Sequence, residues 1–169
     1  MRKTGIKRLT PEAFAPYGSY ASILEPQGCH LGTPPVTFYR DMAQSYLGNT
    51  NTVSFSACVV NEREWVIDCA EYHNHTCEAI LVLDGDYLMH VAPAIPEGED
   101  PSELIEVFLI PKGTMMVTRP GVWHQAGFPY RCKAVHILCC LPERTYATDC
   151  IVLNIPEEKR IQVVDEFIG

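Results

Sequence analysis

Two carboxylates and two imidazoles lie within eight residues of one another near the middle of the chain. The segment reads Glu71-Tyr72-His73-Asn74-His75-Thr76-Cys77-Glu78 and follows a run with strand character. Residues two apart on a regular strand point to the same face, so Glu71, His73 and His75 are predicted to project together. Imidazole and carboxylate donors suit manganese, iron, nickel or zinc. The segment therefore predicts a divalent metal site of mixed nitrogen and oxygen donors.

Two further residues could extend this candidate site. Glu78 has odd spacing from His75, so it joins the histidines only if the chain bulges or bends near Thr76. His124 follows the turn Arg119-Pro120-Gly121 and begins a strand, and in a barrel of hairpins it could lie opposite the first cluster. The alternative interpretation is that these are polar residues on a solvated strand or hydrogen-bonded core histidines. The density of donors favours the metal site.

The elements that must hold these residues are short strands. Val53, Phe55, Ala57 and Val59 alternate with smaller or polar residues, which is the two-residue repeat of a half-buried strand. Further runs of strand character cover residues 64–71, 79–83, 87–91, 104–110, 114–118, 133–141 and 150–154. Many short strands separated by Gly and Pro turns predict an all-β sandwich or barrel. The tail, residues 155–169, could be a last strand or an arm on a partner subunit.

Length and charge bound the remaining possibilities. A chain of 169 residues fits a single domain spanning 1–169, with one short helix that Thr10 caps and Pro11 begins. The net charge of -8 argues against nucleic-acid binding. No apolar run is long enough to cross a bilayer and the first residues lack the pattern of a signal peptide, so we expect a cytoplasmic protein without a membrane partner. The eight cysteines form no C-x-x-C pair, and most are expected to be small buried apolar residues.

The histidine segments resemble the two motifs of the cupin family. His73-x-His75-(x)2-Glu78-(x)6-Gly85 is similar to the first motif, and Gly113-(x)5-Arg119-Pro120-Gly121-(x)2-His124 is similar to the second. The resemblance implies a cupin double-stranded β-helix, a barrel or jelly roll with a short N-terminal helix. It also implies a divalent metal inside the barrel. The implied ligands are His73, His75, Glu78 and His124, with Glu71 as the substitute for Glu78.

Within the cupins, the chain most resembles the ureidoglycolate lyase family. The most specific matches are the opening segment 9–18 and the run Gly121-Val122-Trp123-His124. The resemblance implies a carbon–nitrogen lyase of allantoin breakdown in purine metabolism, which splits ureidoglycolate into glyoxylate and urea. It also implies a homodimer. Two features depart from the family: segment 54–57 has no basic residue, and Glu78 stands where glutamine is common.

Residues outside the ligand set are assigned by the chemistry of the substrate. Cleavage needs a base for the substrate hydroxyl, and Glu71 is the candidate. Arg40 and Arg119 are candidates to bind the substrate carboxylate, since arginine recognises carboxylates bidentately. His136 shares a strand face with Leu138 and is either a substrate-binding or a buried structural histidine.

Two other functions stay open on the sequence alone. One is a cupin isomerase or oxygenase that acts on a small polar acid or sugar at the same site. The other is a non-catalytic cupin that binds a small molecule.

Overall fold

The computed structural model describes all 169 residues, and they form an all-β molecule with two single-turn helices. The helices are α1 (Pro11–Phe14) and α2 (Thr145–Thr148). The strands are β1 (Arg2–Arg8), β2 (Gly18–Ser22), β3 (His30–Thr33), β4 (Val36–Tyr39), β5 (Val53–Asn61), β6 (Val66–Ile67), β7 (Cys69–Tyr72), β8 (Glu78–Val82), β9 (Asp86–Ala92), β10 (Glu106–Ile110), β11 (Thr114–Thr118), β12 (Trp123–Tyr130), β13 (Ala134–Pro142), β14 (Ile151–Asn154) and β15 (Ile161–Phe167). Neither helix has the length or the apolar character to cross a membrane.

The strands form two main sheets and one separate hairpin. The larger sheet has the order β14-β7-β12-β9-β10-β1-β15-β6, and the smaller has the order β2-β11-β8-β13-β5. Strands β3 and β4 pair only with each other. The pairs that β1 makes with β10 and β15 are parallel, whereas the others are antiparallel.

The larger sheet curls strongly. Strands β6 and β7 lie near opposite ends of its strand order, yet only Asp68 separates them in the chain. Because consecutive Cα atoms are about 3.8 Å apart, the two ends of the sheet must approach each other. The sequence predicts one strand over 64–71, and the structure divides it at Asp68 into two short strands with different neighbours.

Two apolar clusters fill the molecule. One lies between the two sheets and contains Phe14, Tyr87, Phe108 and Met116, all almost fully buried. The other lies on the opposite face of the larger sheet and includes Trp123, whose ring centroid is 4.5 Å from that of Tyr72. Strand β9 is therefore buried on both faces, which explains its nearly continuous apolar sequence.

The outer face of the smaller sheet is apolar and uncovered. Phe55 and Val59 of the edge strand β5 are 70% and 51% exposed. Their row continues inward, because Ala57 pairs with Leu138 and Leu138 pairs with Leu81. An apolar surface of this kind is typical of a protein contact.

Candidate metal centre

The candidate site lies between the two sheets and is built from three strands. On the larger sheet, β7 and β12 pair so that His124 is directly opposite Glu71. His73 follows immediately after β7 ends at Tyr72. Glu78 begins β8 on the smaller sheet. The bend predicted between the histidines and Glu78 is the loop that carries the chain from one sheet to the other.

Four predicted residues come together there. Donor atoms of Glu71, His73 and His124 all lie within 4.8 Å of one another. Oε2 of Glu78 lies 2.7 Å from Nε2 of His124 and 3.9 Å from Nε2 of His73. Donors bound tetrahedrally at about 2.1 Å from one ion lie about 3.4 Å apart, so these separations have the right scale. The chain thus gathers two imidazoles and two carboxylates into one cluster.

Backbone carbonyls orient both imidazoles. Nδ1 of His73 lies 2.6 Å from the carbonyl oxygen of Asp149, and Nδ1 of His124 lies 2.9 Å from that of Val122. A carbonyl only accepts hydrogen bonds, so each Nδ1 carries a proton, and in the neutral ring Nε2 then presents a lone pair. Metal-binding histidines use the same arrangement.

The Nε2 atom of His124 has no hydrogen-bond partner although it is buried. The carboxylate of Glu78 is close, but the alignment of the two groups is not that of a hydrogen bond. A buried polar atom without a partner is costly, and a cation between the imidazole and the carboxylate would remove that cost. The residues present therefore fit a divalent metal.

The buried pair Glu78 and His124 has shifted pKa values. Burial alone raises the pKa of Glu78, but contact with His124 and the charges of His124 and His73 outweigh it and hold the pKa below its ordinary value. Burial alone lowers the pKa of His124, and the adjacent carboxylate outweighs it and raises the pKa. Each group stabilises the charged form of the other. The cavity thus favours a carboxylate beside a positive charge.

A cavity of about 100 Å³ opens beside the cluster. Glu71, Glu78 and His124 form its polar wall, and apolar residues such as Ile80 and Met89 form most of the rest. None of the eleven lining residues is a lysine or arginine. A β-bulge between Gln125 and Phe128 shapes one side, so that Gln125 and Ala126 both line the cavity.

Three cysteines lie around the carboxylates, a feature the sequence does not predict. Sγ of Cys150 donates to Oε2 of Glu71 at 3.1 Å, while Cys58 and Cys139 line the cavity. Burial and the Glu71 carboxylate raise the pKa of Cys150 to about 12, and burial with Glu78 raises that of Cys139 to about 12. These thiols stay protonated. Of the eight cysteines only Cys77 is fully buried, so the expectation that most are buried is wrong.

His75 is the predicted ligand that the structure does not bring into the cluster. Its side chain is 83% exposed, and its Nδ1 lies 3.1 Å from Oδ1 of Asp149. The prediction assumed a regular strand through both histidines, but β7 ends at Tyr72. The backbone then turns so that the amides of Asn74 and His75 donate to the Asp149 carboxylate. The same-face rule does not apply beyond the end of the strand.

The three predicted substrate-binding residues also lie elsewhere. Side chains alternate between the two faces of β13, and Ile137 and Cys139 are on the face that lines the cavity. His136 is therefore on the outer face, where it pairs with Asp84. Arg40 is an exposed residue beside Asp41. Arg119 donates to the carbonyl oxygens of residues 15 and 16 and so helps to fix α1. None of the three lines the cavity.

A larger groove of about 500 Å³ lies away from this cluster, beside α1 and β2. Its charged lining residues are Glu25 and Arg119, and it contains no histidine. This groove is larger than the cavity, but the cluster of imidazoles and carboxylates lies at the smaller cavity.

The curled sheets and the site between them match the cupin architecture that the two histidine motifs imply. The ureidoglycolate lyase family model matches residues 1–162. The chain therefore belongs to the ureidoglycolate lyase family. No curated protein matches it significantly.

Two solved structures are similar to this chain. One is a dTDP sugar isomerase from Desulfovibrio desulfuricans G20, with 14% identity over 85% of this chain and 87% of that chain and a TM-score of 0.48. The other is the dTDP-6-deoxy-D-glucose-3,5-epimerase RmlC from Legionella pneumophila Philadelphia 1, with 13% identity over 80% and 79% and a TM-score of 0.45.

Proposed function

We propose that this protein is a metal-dependent carbon–nitrogen lyase that cleaves ureidoglycolate, or a similar small hydroxy or ureido acid, to glyoxylate and urea. The observation that carries the proposal is the pair of Nε2 atoms facing carboxylates beside a small cavity, in a chain of the ureidoglycolate lyase family. Family membership supports the reaction, and the donor set supports the metal.

His73, Glu78 and His124 would hold the divalent ion, which could be manganese, iron, nickel or zinc. Glu78 suits the ligand role because its Oε2 is within 3.9 Å of both histidine nitrogens. When bound, such an ion would supply Lewis acidity that lowers the pKa of the substrate hydroxyl, and it would offset the charge of the carboxylates.

Glu71 is the proposed general base. It lines the cavity, and the Cys150 thiol occupies its Oε2, which leaves Oε1 to face the substrate. Glu71 takes the hydroxyl proton as the carbon–oxygen double bond of glyoxylate forms. The C–N bond breaks in the same step, its electron pair goes to the urea nitrogen, and that nitrogen takes up the proton. Such assistance is typically worth about 10²–10⁴ in rate.

The size of the cavity restricts the substrate. A volume of about 100 Å³ is below the ~300–1,000 Å³ of pockets that enclose drug-sized ligands, so the cavity cannot enclose a whole nucleotide sugar. An acid of a few heavy atoms is compatible. Because no lysine or arginine lines the cavity, an anionic substrate depends on the metal charge to balance Glu71 and Glu78.

The lack of a basic lining residue also favours a second candidate function. A cupin oxygenase or isomerase with an uncharged small substrate would need no side chain to bind a carboxylate. Oxygen uptake with the iron-loaded protein would identify the oxygenase.

The deciding experiment combines metal analysis with product detection. Purified protein is stripped with a chelator, reloaded separately with Mn²⁺, Fe²⁺, Ni²⁺ or Zn²⁺, and assayed for urea release from ureidoglycolate. We expect stoichiometric binding of at least one metal and urea release that disappears on stripping. Urea release that survives complete stripping would contradict the metal, and tight ureidoglycolate binding without urea release would indicate a binding protein.

We also propose that the protein forms a homodimer. The apolar outer face of the smaller sheet, with Phe55 and Val59 exposed at its edge, supports a second copy as the partner. Isologous contacts between copies of one surface are the commonest way to form an oligomer.

A further inference from the structure

The dipeptide Asp149-Cys150 contacts the candidate site at three points. The carbonyl oxygen of Asp149 accepts from Nδ1 of His73 at 2.6 Å. The Cys150 thiol donates to Oε2 of Glu71 at 3.1 Å. The carboxylate of Asp149 accepts from the backbone amides of Asn74 and His75, at 2.9 Å and 2.8 Å. One short segment thus touches a proposed metal ligand, the proposed base and the turn between the two sheets.

The chain on either side fixes this segment in place. After it, β14 pairs with β7 in a register that sets Ile151 opposite Tyr72, so Cys150 lies across from His73. Before it, the buried residue Thr145 begins α2 and donates to the carbonyl of Pro142. The backbone amide of Asp149 closes this turn by donating to the carbonyl of Thr145.

We propose that Asp149-Cys150 is the positioning element of the metal centre: Asp149 sets the tautomer and orientation of His73, and Cys150 orients Glu71. The roles of the two contacted residues rest on the proposed function. The Asp149 carbonyl holds the proton on Nδ1, so Nε2 faces the cluster as a lone pair. The Asp149 carboxylate holds the backbone turn that keeps this carbonyl aligned. The thiol occupies one oxygen of Glu71 and directs the other to the cavity.

The two residues are expected to affect different measurements. Asp149→Ala frees the turn at 74–75 and should weaken Mn²⁺ binding by about 10–100-fold, the usual cost of losing support around a metal ligand. Cys150→Ala should lower kcat about tenfold with little change in Mn²⁺ affinity, because it misdirects the base and spares the ligands. Cys150→Ser keeps a donor and should restore most of kcat.

Mn²⁺ affinity is measured from the free-ion electron paramagnetic resonance signal, and kcat from urea release. Tyr146→Ala is the matched control, since this α2 residue is 82% exposed; it should match the wild type in both measurements. Asp149→Asn keeps an acceptor for one of the two amides and should fall between the wild type and Asp149→Ala, which provides a second variant if the alanine change unfolds the protein.

Nuclear magnetic resonance of the metal-free protein separates this inference from the proposed function. Nitrogen shifts of His73 should report the Nδ1–H tautomer in the wild type and a mixture in Asp149→Ala. The carboxyl carbon shift of Glu71 should change in Cys150→Ala and be restored in Cys150→Ser. If these shift changes are observed in a protein that has no lyase activity, the proposed reaction is refuted. The positioning element is then still supported. Unchanged shifts in both alanine variants, with unchanged Mn²⁺ affinity and kcat, would overturn the positioning element even in an active lyase.

Discussion

Four of the six histidines of this protein form an inner and an outer pair with opposite surroundings. His73 and His124 are each 4% exposed and hold their Nδ1 atoms against backbone carbonyls. His75 and His136 have exposed side chains and hold their Nδ1 atoms against aspartate carboxylates. In the inner pair the carbonyl engages Nδ1 and Nε2 faces the carboxylate cluster, whereas in the outer pair Nδ1 itself lies against a carboxylate at the surface. The partner of Nδ1 thus distinguishes the two proposed metal ligands from the two histidines in surface ion pairs.

The largest expected effect comes from removing the inner pair. We expect a His73→Ala, His124→Ala double variant to lose stoichiometric metal and all detectable urea release, because two of three proposed ligands are gone. His136→Ala should keep both, because that ring lies outside the cavity and contacts Asp84. Metal analysis by mass spectrometry and the urea assay check both variants. If the double variant keeps the metal content of the wild type, the inner pair does not hold the metal and does not differ from the outer pair in this respect.

The two carboxylates that face the inner pair should differ from each other. Glu78→Gln is expected to weaken metal binding, since it replaces the oxygen nearest both histidines. Glu71→Gln should keep the metal and lower kcat by about 10²–10⁴, the range for loss of a general base. Titration of metal affinity beside steady-state kinetics separates the two effects. If Glu71→Gln loses the metal and Glu78→Gln keeps it, the two roles are reversed.

Local patterns were sufficient for much of the fold. The alternation in 53–59 predicts β5, which is confirmed. Asp84-Gly85 also predicts a hairpin, and this prediction is wrong: the turn does separate two strands, but β8 and β9 belong to different sheets and do not pair. The helix that Thr10 caps is also confirmed, with Oγ1 accepting from the amide of Ala13 at 3.2 Å. The tail, which the sequence left undecided, contributes β15. The helix and β5 depend on neighbours in the sequence, which is why the sequence reveals them, whereas β15 pairs with the distant strands β1 and β6.

Features set by distant neighbours were not predictable. Strand β1 has Ile6 as its one large apolar residue, and its strand character comes from parallel pairing with β10 and β15. Asp149 and Cys150 reach the site from more than seventy positions along the chain, and no spacing rule connects them to His73. The ends of strands are equally non-local, which is why the structure brings His73 into the cluster and leaves His75 outside it.

The exposed apolar residues on the outer face of the smaller sheet allow the proposed dimer contact to be tested. Phe55→Asp introduces a charge where the proposed dimer buries a ring, and it should weaken dimerisation by about 30-fold if Phe55 is a dominant contact worth about 2 kcal/mol. Light scattering over a dilution series measures the change, and Tyr146→Ala controls for loss of an exposed aromatic residue. A wild-type chain that is monomeric at all concentrations would refute the dimer.

The smallest expected effect belongs to the outer pair formed by His136 and Asp84. The His136 backbone amide and side chain hold the pKa of Asp84 below its ordinary value of 3.8. A carboxyl with a depressed pKa stabilises the fold above its ordinary pKa and loses that contribution as the pH falls through the folded-state pKa. Asp84→Asn should therefore lower the melting temperature slightly at pH 7, and the difference should shrink below pH 3.8 and in high salt. Melting curves across pH and salt check this. A difference that persists in strong acid would mean that Asp84 acts through its shape rather than its charge, because only an ionised group is sensitive to both protons and salt.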